Sequence, residues 1–541
     1  MIPYTRVTLL APDRRAEVVI PSDEAVGVQY PALLALLGLS EGADLPSIQL
    51  VRPDGTLVDP ELDLVAQKVR DGEILRLIPD DEVPPPAEIS DVAGALTQAT
   101  DSHPWRWKAS DRILGTGTLL LVVGLILART WLQEGSGGLP HWSWPLPGLA
   151  VVAVADIVID KAVSALRNAG REDVVVADTD LAAAEQAIRD GRAAVVSDGL
   201  RMPGLPVDIV VEVSGVPGIA AQIAYTCITH STDVALMTVE ADITVGPLLS
   251  SMANAGGSVY TVMRGDEPVE CLKLVEYAQD LGLEVVCVGK GKNNVNIPHG
   301  MPEDNIEDAR RKGMNPRMLT EFTDGTKTQL EMTALSNATG IPIEVDGMHG
   351  REIPLAELAT KLVPRADGGI LEFDKGPCVE YVTGDVAPGV FCIVKSTSDV
   401  VTAELDYLRL GHGPYYLLHR PWHIASIEAH LSIYEAVTTG RPDFQSTHVT
   451  TEVVGRAKTD LAAGLTFEGM GGHHFYGYAM PADKARELNL VPIGLLQHSK
   501  LKVGKKVDEM ISYDDIEIDR ARPLVAMRFL QDAMVARGVL G

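Results

Sequence analysis

Cationic, amide and carboxylate side chains are concentrated in residues 289–340, where they could bind and transform an anionic substrate. Lys290 and Lys292 are separated by one glycine and follow an apolar run, which is typical of a phosphate or carboxylate site at the end of a strand. An amide and carboxylates close by could stabilise an oxyanion and move a proton. The candidate catalytic residues are Lys290, Lys292, Asn315, Asp324, Lys327 and Glu331.

The residues that follow Asp324 predict a helix. Asp324 or Thr326 is the expected N-cap, and the helix has one apolar face. That face consists of Leu330, Ala334, Leu335 and Ala338. Lys327 and Glu331 are four residues apart and should lie on the same side of the helix. A surface helix with an ordinary ion pair explains the same residues, so this pattern alone leaves both interpretations open.

Length, charge and cysteine content limit the classes of protein that the chain can belong to. Its 541 residues should form about three or four domains. A net charge of -28 argues against a nucleic-acid partner, because phosphates would be repelled. The five cysteines include no CxxC pair, which favours reduced thiols in the cytoplasm. His473 and His474 lie in a glycine-rich turn and are interpreted as structural or solvated.

Residues 1–80 predict a small β-grasp domain with a binding or scaffold role. Strands are expected at residues 5–11, 15–21, 48–52, 56–58 and 74–77, with a helix at residues 31–39. Residues 81–112 then form an acidic, proline-rich linker that ends in a basic collar.

Residues 113–132 predict one transmembrane helix. The run is long enough to cross a bilayer, and tryptophans stand at both ends. Arg106, Lys108 and Arg112 precede it and place the N-terminal side in the cytoplasm. The expected location is therefore a single-pass membrane protein, with the side occupied by the C-terminal part left open.

The order of these elements resembles the N-terminal part of the EccD-like membrane component of type VII secretion, which carries a YukD-like, ubiquitin-like domain. The resemblance covers about residues 1–132 and depends on order and pattern. It implies a secretion-apparatus partner for the N-terminal domain. The further transmembrane helices of that family do not follow in this sequence.

Alternating strand and helix patterns in residues 147–288 predict a parallel, Rossmann-type sheet. Asp156 ends a buried strand, where a dinucleotide fold holds the adenosine ribose. A later turn would let backbone amides approach a nicotinamide, and another turn is expected at residues 238–242. The candidate cofactor-binding residues are Asp156, Ser214, Gly215, Pro217 and Glu240.

Several separate motifs after residue 147 occur in the order found in one oxidoreductase family. They lie at residues 207–217, 234–249, 289–292, 313–327, 364–369, 418–423 and 453–469. Together they resemble the deoxyxylulose-phosphate-reductoisomerase-like branch of the homoserine-dehydrogenase-like oxidoreductases. The resemblance implies NADPH, a phosphorylated substrate such as 1-deoxy-D-xylulose 5-phosphate in isoprenoid synthesis, and allows a divalent metal, for which no ligands are assigned.

The same resemblance implies a catalytic α/β domain at residues 289–445 and a SAF-like, β-rich domain with a final helix at residues 446–541. The SAF-like part is expected to form a β-clip wall or an oligomer contact, so a homo-oligomer is expected. Arg420 and His423 could help to close the site, or could form a structural turn. The predicted fold class is multidomain α/β plus α+β.

The expected glycine-rich phosphate loop and first Rossmann strand are missing from this sequence. Residues 133–146 precede the first predicted strand of the sheet, and Gly135 to Gly138 are followed by a proline instead of a helix. We therefore expect weak or absent NADPH binding unless another chain supplies this part. The alternative function is a non-catalytic membrane or scaffold protein of a secretion apparatus with a vestigial oxidoreductase fold.

Overall fold

The computed structural model describes residues 4–11, 14–36, 48–52, 56–69, 72–79, 150–372 and 376–540. The chain divides into two compact units, Met1–Trp142 and Ser143–Gly541, which are described separately below. The predicted linker at 81–112 and the predicted transmembrane helix at 113–132 lie outside the described residues. Within the described ranges, no helix is both long enough and apolar enough to cross a membrane.

The first unit contains the predicted β-grasp fold. Its elements are β1 (Tyr4–Ala11), β2 (Arg14–Pro21), α1 (Val26–Leu36), β3 (Ile48–Val51) and β4 (Glu73–Pro79). The sheet order is β2-β1-β4-β3, with β1 and β4 parallel and both outer pairs antiparallel. The helix begins five residues before the predicted start and contains Pro31. Instead of the strand expected at residues 56–58, Leu57 makes one bridge to Val51.

Two three-stranded parallel sheets follow in the second unit. The first has the order β5-β7-β6 and the second has the order β10-β9-β8. Their elements are β5 (Ala153–Ala155), α2 (Ile159–Asn168), β6 (Val174–Asp178), α3 (Leu181–Arg189), β7 (Ala193–Val196), β8 (Ile209–Glu212), α4 (Pro217–Thr229), β9 (Asp233–Leu236), α5 (Val239–Gly256) and β10 (Tyr260–Val262). Strands alternate with helices as predicted, and β5 and β8 are edge strands among the described residues.

The turn predicted at residues 238–242 is wrong, because these residues start the long helix α5. Almost every side chain from Val239 to Ser250 is buried, so the helix lacks the polar face on which an amphipathic pattern depends. Glu240 consequently lies in the first turn of a buried helix.

A mixed four-stranded sheet forms the next layer, with the order β12-β11-β13-β14. Strand β11 is parallel to β12 and antiparallel to β13. The elements of this part are α6 (Glu267–Asp280), β11 (Glu284–Lys292), α7 (Ile306–Lys312), α8 (Pro316–Thr323), α9 (Thr326–Thr339), α10 (Leu358–Lys361), β12 (Cys378–Thr383), β13 (Val390–Lys395), α11 (Asp399–Tyr407), β14 (Tyr415–Arg420) and α12 (Ala425–Thr439). All five cysteines are free and buried, as the sequence predicted.

Short strands and helices make up the C-terminal part. They are β15 (Thr451–Ala457), β16 (Phe475–Pro481), α13 (Ala482–Glu487), α14 (Ile493–Leu496), β17 (Lys500–Leu501), β18 (Ile516–Glu517) and α15 (Pro523–Val535). Arg528 of α15 donates to the Thr244 carbonyl of α5 at 3.2 Å and pairs with Glu452 of β15. Apolar residues of this part belong to the same core as β8 to β11. The C-terminal part is therefore packed into the body of the second unit.

Candidate active site

Strand β11 carries Lys290 and Lys292 into the protein interior. The two lysines lie inside the strand, whereas the sequence placed them after it. Because side chains alternate along a strand, both lysines project from the same face of the sheet. A Cβ on Gly289 would lie 1.6 Å from the Glu380 carbonyl oxygen, so only glycine allows this close approach of β11 to β12.

Lys290 lies between two glutamates. Its ammonium is 2.5 Å from Glu267 Oε1 and also contacts Glu331 Oε2, and only 6% of the residue is exposed. Burial alone would lower the pKa of Lys290, but Glu267 and Glu331 together raise it above the ordinary value. This lysine is therefore held as a buried cation.

Lys327 extends the same network to α5. Its ammonium donates to Glu240 Oε1 at 2.9 Å and lies 4.0 Å from Glu331 Oε1. The predicted pairing of Lys327 with Glu331 is thus present, but the surrounding helix is not a surface helix. The buried positions of α9 include Leu330, Ala334, Leu335 and most of its polar residues. We call the chain of contacts Glu240–Lys327–Glu331–Lys290–Glu267 the charge network.

Lys292 differs from the other two lysines. Its ammonium donates to the Phe322 carbonyl at 2.5 Å, and among the described residues no carboxylate lies within ion-pair distance of it. Burial, followed by the nearby charge of Lys290, lowers the pKa of Lys292 to about 8. Lys292 therefore keeps donor capacity that the described residues do not use.

Glu321 is a site residue that the sequence analysis missed. It lies on α8 directly before Phe322, whose carbonyl accepts from Lys292. Burial, together with the negative charge of Glu240, raises the pKa of Glu321 to about 8. A carboxyl group and an amine that both titrate near neutral pH therefore lie on neighbouring elements.

Asp324 forms a fully buried ion pair with Lys458. The two charged groups are 2.8 Å apart, and both side chains are 0% exposed. Asp324 ends α8 and accepts a hydrogen bond from the Thr326 amide at 2.8 Å. The N-cap of α9 is Gly325, so the prediction of Asp324 or Thr326 as the N-cap is wrong. Asp324 thus fixes the entry to the helix that carries Lys327 and Glu331.

Arg420 and His423 contact the N-terminal end of α6. The imidazole Nε2 of His423 is 3.2 Å from Glu267 Oε1, and its Nδ1 is 3.0 Å from the Gly265 carbonyl. Arg420 pairs with Glu270, which is 0% exposed. The structure therefore brings His423 to the charge network and Arg420 to the helix that supports it.

Asn315 takes no part in the contacts just described. It is exposed at the N-cap of α8, where its side chain accepts the Arg317 amide at 2.9 Å. Its predicted catalytic role stays a prediction, and capping explains the residue type at this position.

Four of the five predicted cofactor residues follow β5 and β8. Asp156 directly follows β5 and accepts the Val158 amide at 2.7 Å. The Ser214 amide donates to Glu212 Oε1 at 2.6 Å, and the Gly215 amide donates to Thr238 Oγ1 at 3.1 Å. Pro217 begins α4. The Ser214 and Gly215 amides are thus already bonded within the protein, and Glu240 belongs to the charge network. The cofactor-binding role of all five residues stays a prediction.

Sequence reasoning missed Asp266, Glu267, Glu321 and Lys458. Lys458, for example, pairs with Asp324, which lies 134 positions earlier in the chain. Pairings between residues so far apart leave no periodic pattern in the sequence. One signal was available for the first two. They directly precede Pro268 at the start of α6, where acids are favoured and proline often marks the first turn.

Three of these carboxylates form the group that could hold a metal ion within the described parts of the chain. One oxygen each from Asp266, Glu267 and Glu331 lies within 4.8 Å of the others. Carboxylate oxygens are the ligands that Mg²⁺ and Mn²⁺ prefer. Two of the three, however, already bond the Lys290 ammonium.

Two family models match separate parts of the chain. Residues 265–429 match the catalytic domain of the oxidoreductase DRL. Residues 4–77 match protein YukD of the WXG100 protein secretion system. No curated protein sequence matches the chain.

Several solved structures are similar to parts of the chain. The ubiquitin-like domain of the Mycobacterium tuberculosis type VII secretion protein ECCD1 is 23% identical, with 14% of this chain and 98% of that chain covered and a TM-score of 0.13. A probable dehydrogenase from Thermotoga maritima is 14% identical, with coverages of 54% and 81% and a TM-score of 0.28. A DOX-P reductoisomerase in complex with NADPH, fosmidomycin and magnesium is 12% identical, with coverages of 34% and 50% and a TM-score of 0.23.

The TM-scores of these solved structures are too low to support any conclusion about function. The functional assignment therefore depends on the two family matches and on the geometry of the site. The DRL match contains every member of the charge network except Glu240, and it also contains Lys292, Glu321 and His423. The chain therefore has an oxidoreductase catalytic region similar to DRL and, separately, a ubiquitin-like region similar to YukD.

Proposed function

We propose that this chain is an NADPH-dependent oxidoreductase that rearranges and reduces a phosphorylated ketose such as 1-deoxy-D-xylulose 5-phosphate. The observation that carries the proposal is the buried charge network at the end of β11, all of whose members except Glu240 lie inside the DRL match. Such a network can hold lysines in fixed positions while a substrate with negative charge enters.

Lys292 is the proposed donor to the substrate. Its ammonium bonds a single backbone carbonyl, so it can also donate to a phosphate or to an oxyanion that develops on a carbonyl oxygen. Lys290 and Lys327 are neutralised by glutamates and serve to hold the network in place. Glu321 is the proposed proton donor, because its raised pKa keeps a proton available near neutral pH.

NADPH fits the described residues only in part. Asp156 offers a carboxylate after β5, where a ribose would bind, and the exposed turn at Ser214 and Gly215 follows β8. The described residues contain no G-x-G-x-x-G turn between a strand and a helix, which is the usual pyrophosphate site. When bound, NADPH would supply the hydride for the reduction. We expect its affinity to be lower than that of a homologue with an intact loop.

The divalent metal and the membrane attachment also remain proposals. The carboxylates around Lys290 have the donor chemistry for a metal, but the lysine competes for them. The single membrane helix at residues 113–132 is supported by sequence alone.

The test is NADPH oxidation by the full-length chain with 1-deoxy-D-xylulose 5-phosphate. Lys292→Met should lower kcat/KM by about 100- to 1,000-fold, the usual effect of removing one donor to a developing oxyanion. Lys361→Met, at an exposed lysine of α10, is the matched control and should leave kcat/KM unchanged. A folded wild-type chain that binds NADPH but reduces no phosphorylated ketose would contradict the proposal.

A second function is supported by the separate match to YukD at residues 4–77. In this function the ubiquitin-like region binds a component of the WXG100 secretion system. Val19 on β2 is 61% exposed and offers an apolar contact for such a partner. Val19→Asp should then weaken capture of secretion components by the full-length chain, whereas Lys292→Met should not. Equal capture by both variants would contradict a role for this face.

A further inference from the structure

Two of the three carboxylates that could hold a metal ion already bond a lysine ammonium. Asp266, Glu267 and Glu331 bring three oxygens within 4.8 Å of one another, as the ligands of a divalent ion would be arranged. Lys290 reaches this position from the neighbouring strand β11 and bonds Glu267 Oε1 at 2.5 Å and Glu331 Oε2. A divalent ion could take the same two carboxylates only if this ammonium moved away.

The surroundings of Lys290 oppose such a movement. The residue is 6% exposed, and its backbone is paired with both Tyr381 of β12 and Val390 of β13. Breaking a buried ion pair is costly because it leaves an unpaired charge. The neighbouring Lys327, which bonds Glu240 and lies 4.0 Å from Glu331, supplies a second positive charge that repels an incoming ion.

We propose that Lys290 takes the place of a divalent metal in this chain, so that the resting site contains an ammonium ion and binds Mg²⁺ or Mn²⁺ weakly or not at all. The inference depends on the carboxylate and lysine geometry alone and holds whichever substrate the enzyme uses. It also predicts a latent metal site, because removing the Lys290 ammonium leaves Glu267 and Glu331, beside Asp266, without the cation that they bond.

Binding of Mn²⁺ to the full-length protein, measured by electron paramagnetic resonance and calorimetry, tests the inference without any substrate. Lys290→Met should bind Mn²⁺ at least about 10- to 100-fold more tightly than wild type, the range over which groups next to metal ligands change affinity. The matched control is Lys292→Met, which removes a lysine from the same face of β11 that bonds a carbonyl and no carboxylate. This control should bind Mn²⁺ as weakly as wild type.

A second variant shows whether the gained site is the one described. Adding Glu331→Gln to Lys290→Met removes one of the three carboxylates and should abolish the gain in Mn²⁺ affinity. Thermal melting gives a parallel measurement: Mn²⁺ should raise the melting temperature of Lys290→Met but leave that of wild type unchanged.

If Lys290→Met fails to fold, Mn²⁺ binding by the wild-type protein still tests the inference. Tight Mn²⁺ binding by wild type that Glu267→Gln abolishes would overturn the inference, because the metal would then coexist with the lysine. Weak Mn²⁺ binding by wild type, together with an unchanged melting temperature in its presence, is the expected result. Failure of the ketose assay would leave these outcomes unaffected.

Discussion

The mixed sheet and the two parallel sheets differ in how completely their strands are covered. On β11 of the mixed sheet, Val286 and Val288 are both 0% exposed. On or beside the parallel strands, Val176 is 54% exposed and Val213 is 64% exposed. Parallel sheets normally have both faces covered by helices. The exposed valines therefore indicate that the described residues cover the two parallel sheets only in part.

The difference in coverage coincides with the two roles expected of the protein, which are catalysis on the substrate and NADPH binding. The charge network lies in a closed core, where carboxylates and lysines are positioned by packing. The turns expected to bind NADPH lie at the ends of β5 and β8, which are edge strands among the described residues. We therefore expect the region around the charge network to be complete within the described residues. The region proposed to bind NADPH should need a further structural element to cover β5 and β8.

The largest expected effect concerns the buried ion pair of the closed region. Asp324→Ala leaves the Lys458 ammonium buried without a counter-charge and should lower the free energy of unfolding by about 3–5 kcal/mol. Asp156→Ala, in the open region, removes only a hydrogen bond to the Val158 amide and should cost about 1 kcal/mol. Urea unfolding of both variants measures the difference, and equal losses would contradict it.

A matched pair of valines tests the contrast in packing. Val288→Ala removes two buried methyl groups and should cost about 2–3 kcal/mol, including the cavity that it leaves. Val213→Ala removes the same groups from an exposed position and should change stability by less than about 0.5 kcal/mol. A loss at Val213 as large as that at Val288 would mean that this face is covered in the folded protein.

The last test of this comparison is a pair of opposite pH dependences. The pKa of Lys292 is lowered from 10.5 to about 8, so its contribution to stability should rise as the pH rises through that interval. The pKa of Glu321 is raised from 4.5 to about 8, so its contribution should fall as the pH rises through that interval.

Unfolding measured against pH should therefore lose the upward slope between about pH 8 and 10.5 in Lys292→Met, because methionine does not titrate. Glu321→Gln should lose the downward slope between about pH 4.5 and 8 for the same reason. Slopes that match wild type in both variants would show that these groups titrate as they do in water.

Local patterns predicted the elements of this fold better than its contacts. The alternation of strands and helices and the pairing of Lys327 with Glu331 depend on periodicity and are present. Helix α5 was missed because it is buried on nearly every side and shows no polar stripe. Glu267 was missed because its partner Lys290 lies 23 positions further along the chain, on the strand that follows α6.

The ion pair between Asp324 and Lys458 also bears on the order in which the protein can mature. The Lys458 ammonium bonds the carbonyls of Gly300 and Gly472, each at 2.9 Å, as well as Asp324. Three segments that emerge from the ribosome at different times therefore converge on one side chain. We therefore expect the entry to the helix that bears Lys327 and Glu331 to be completed only after residue 472 has been synthesised, and a chain that stops at residue 445 to be cleaved by proteases more readily than the full-length chain.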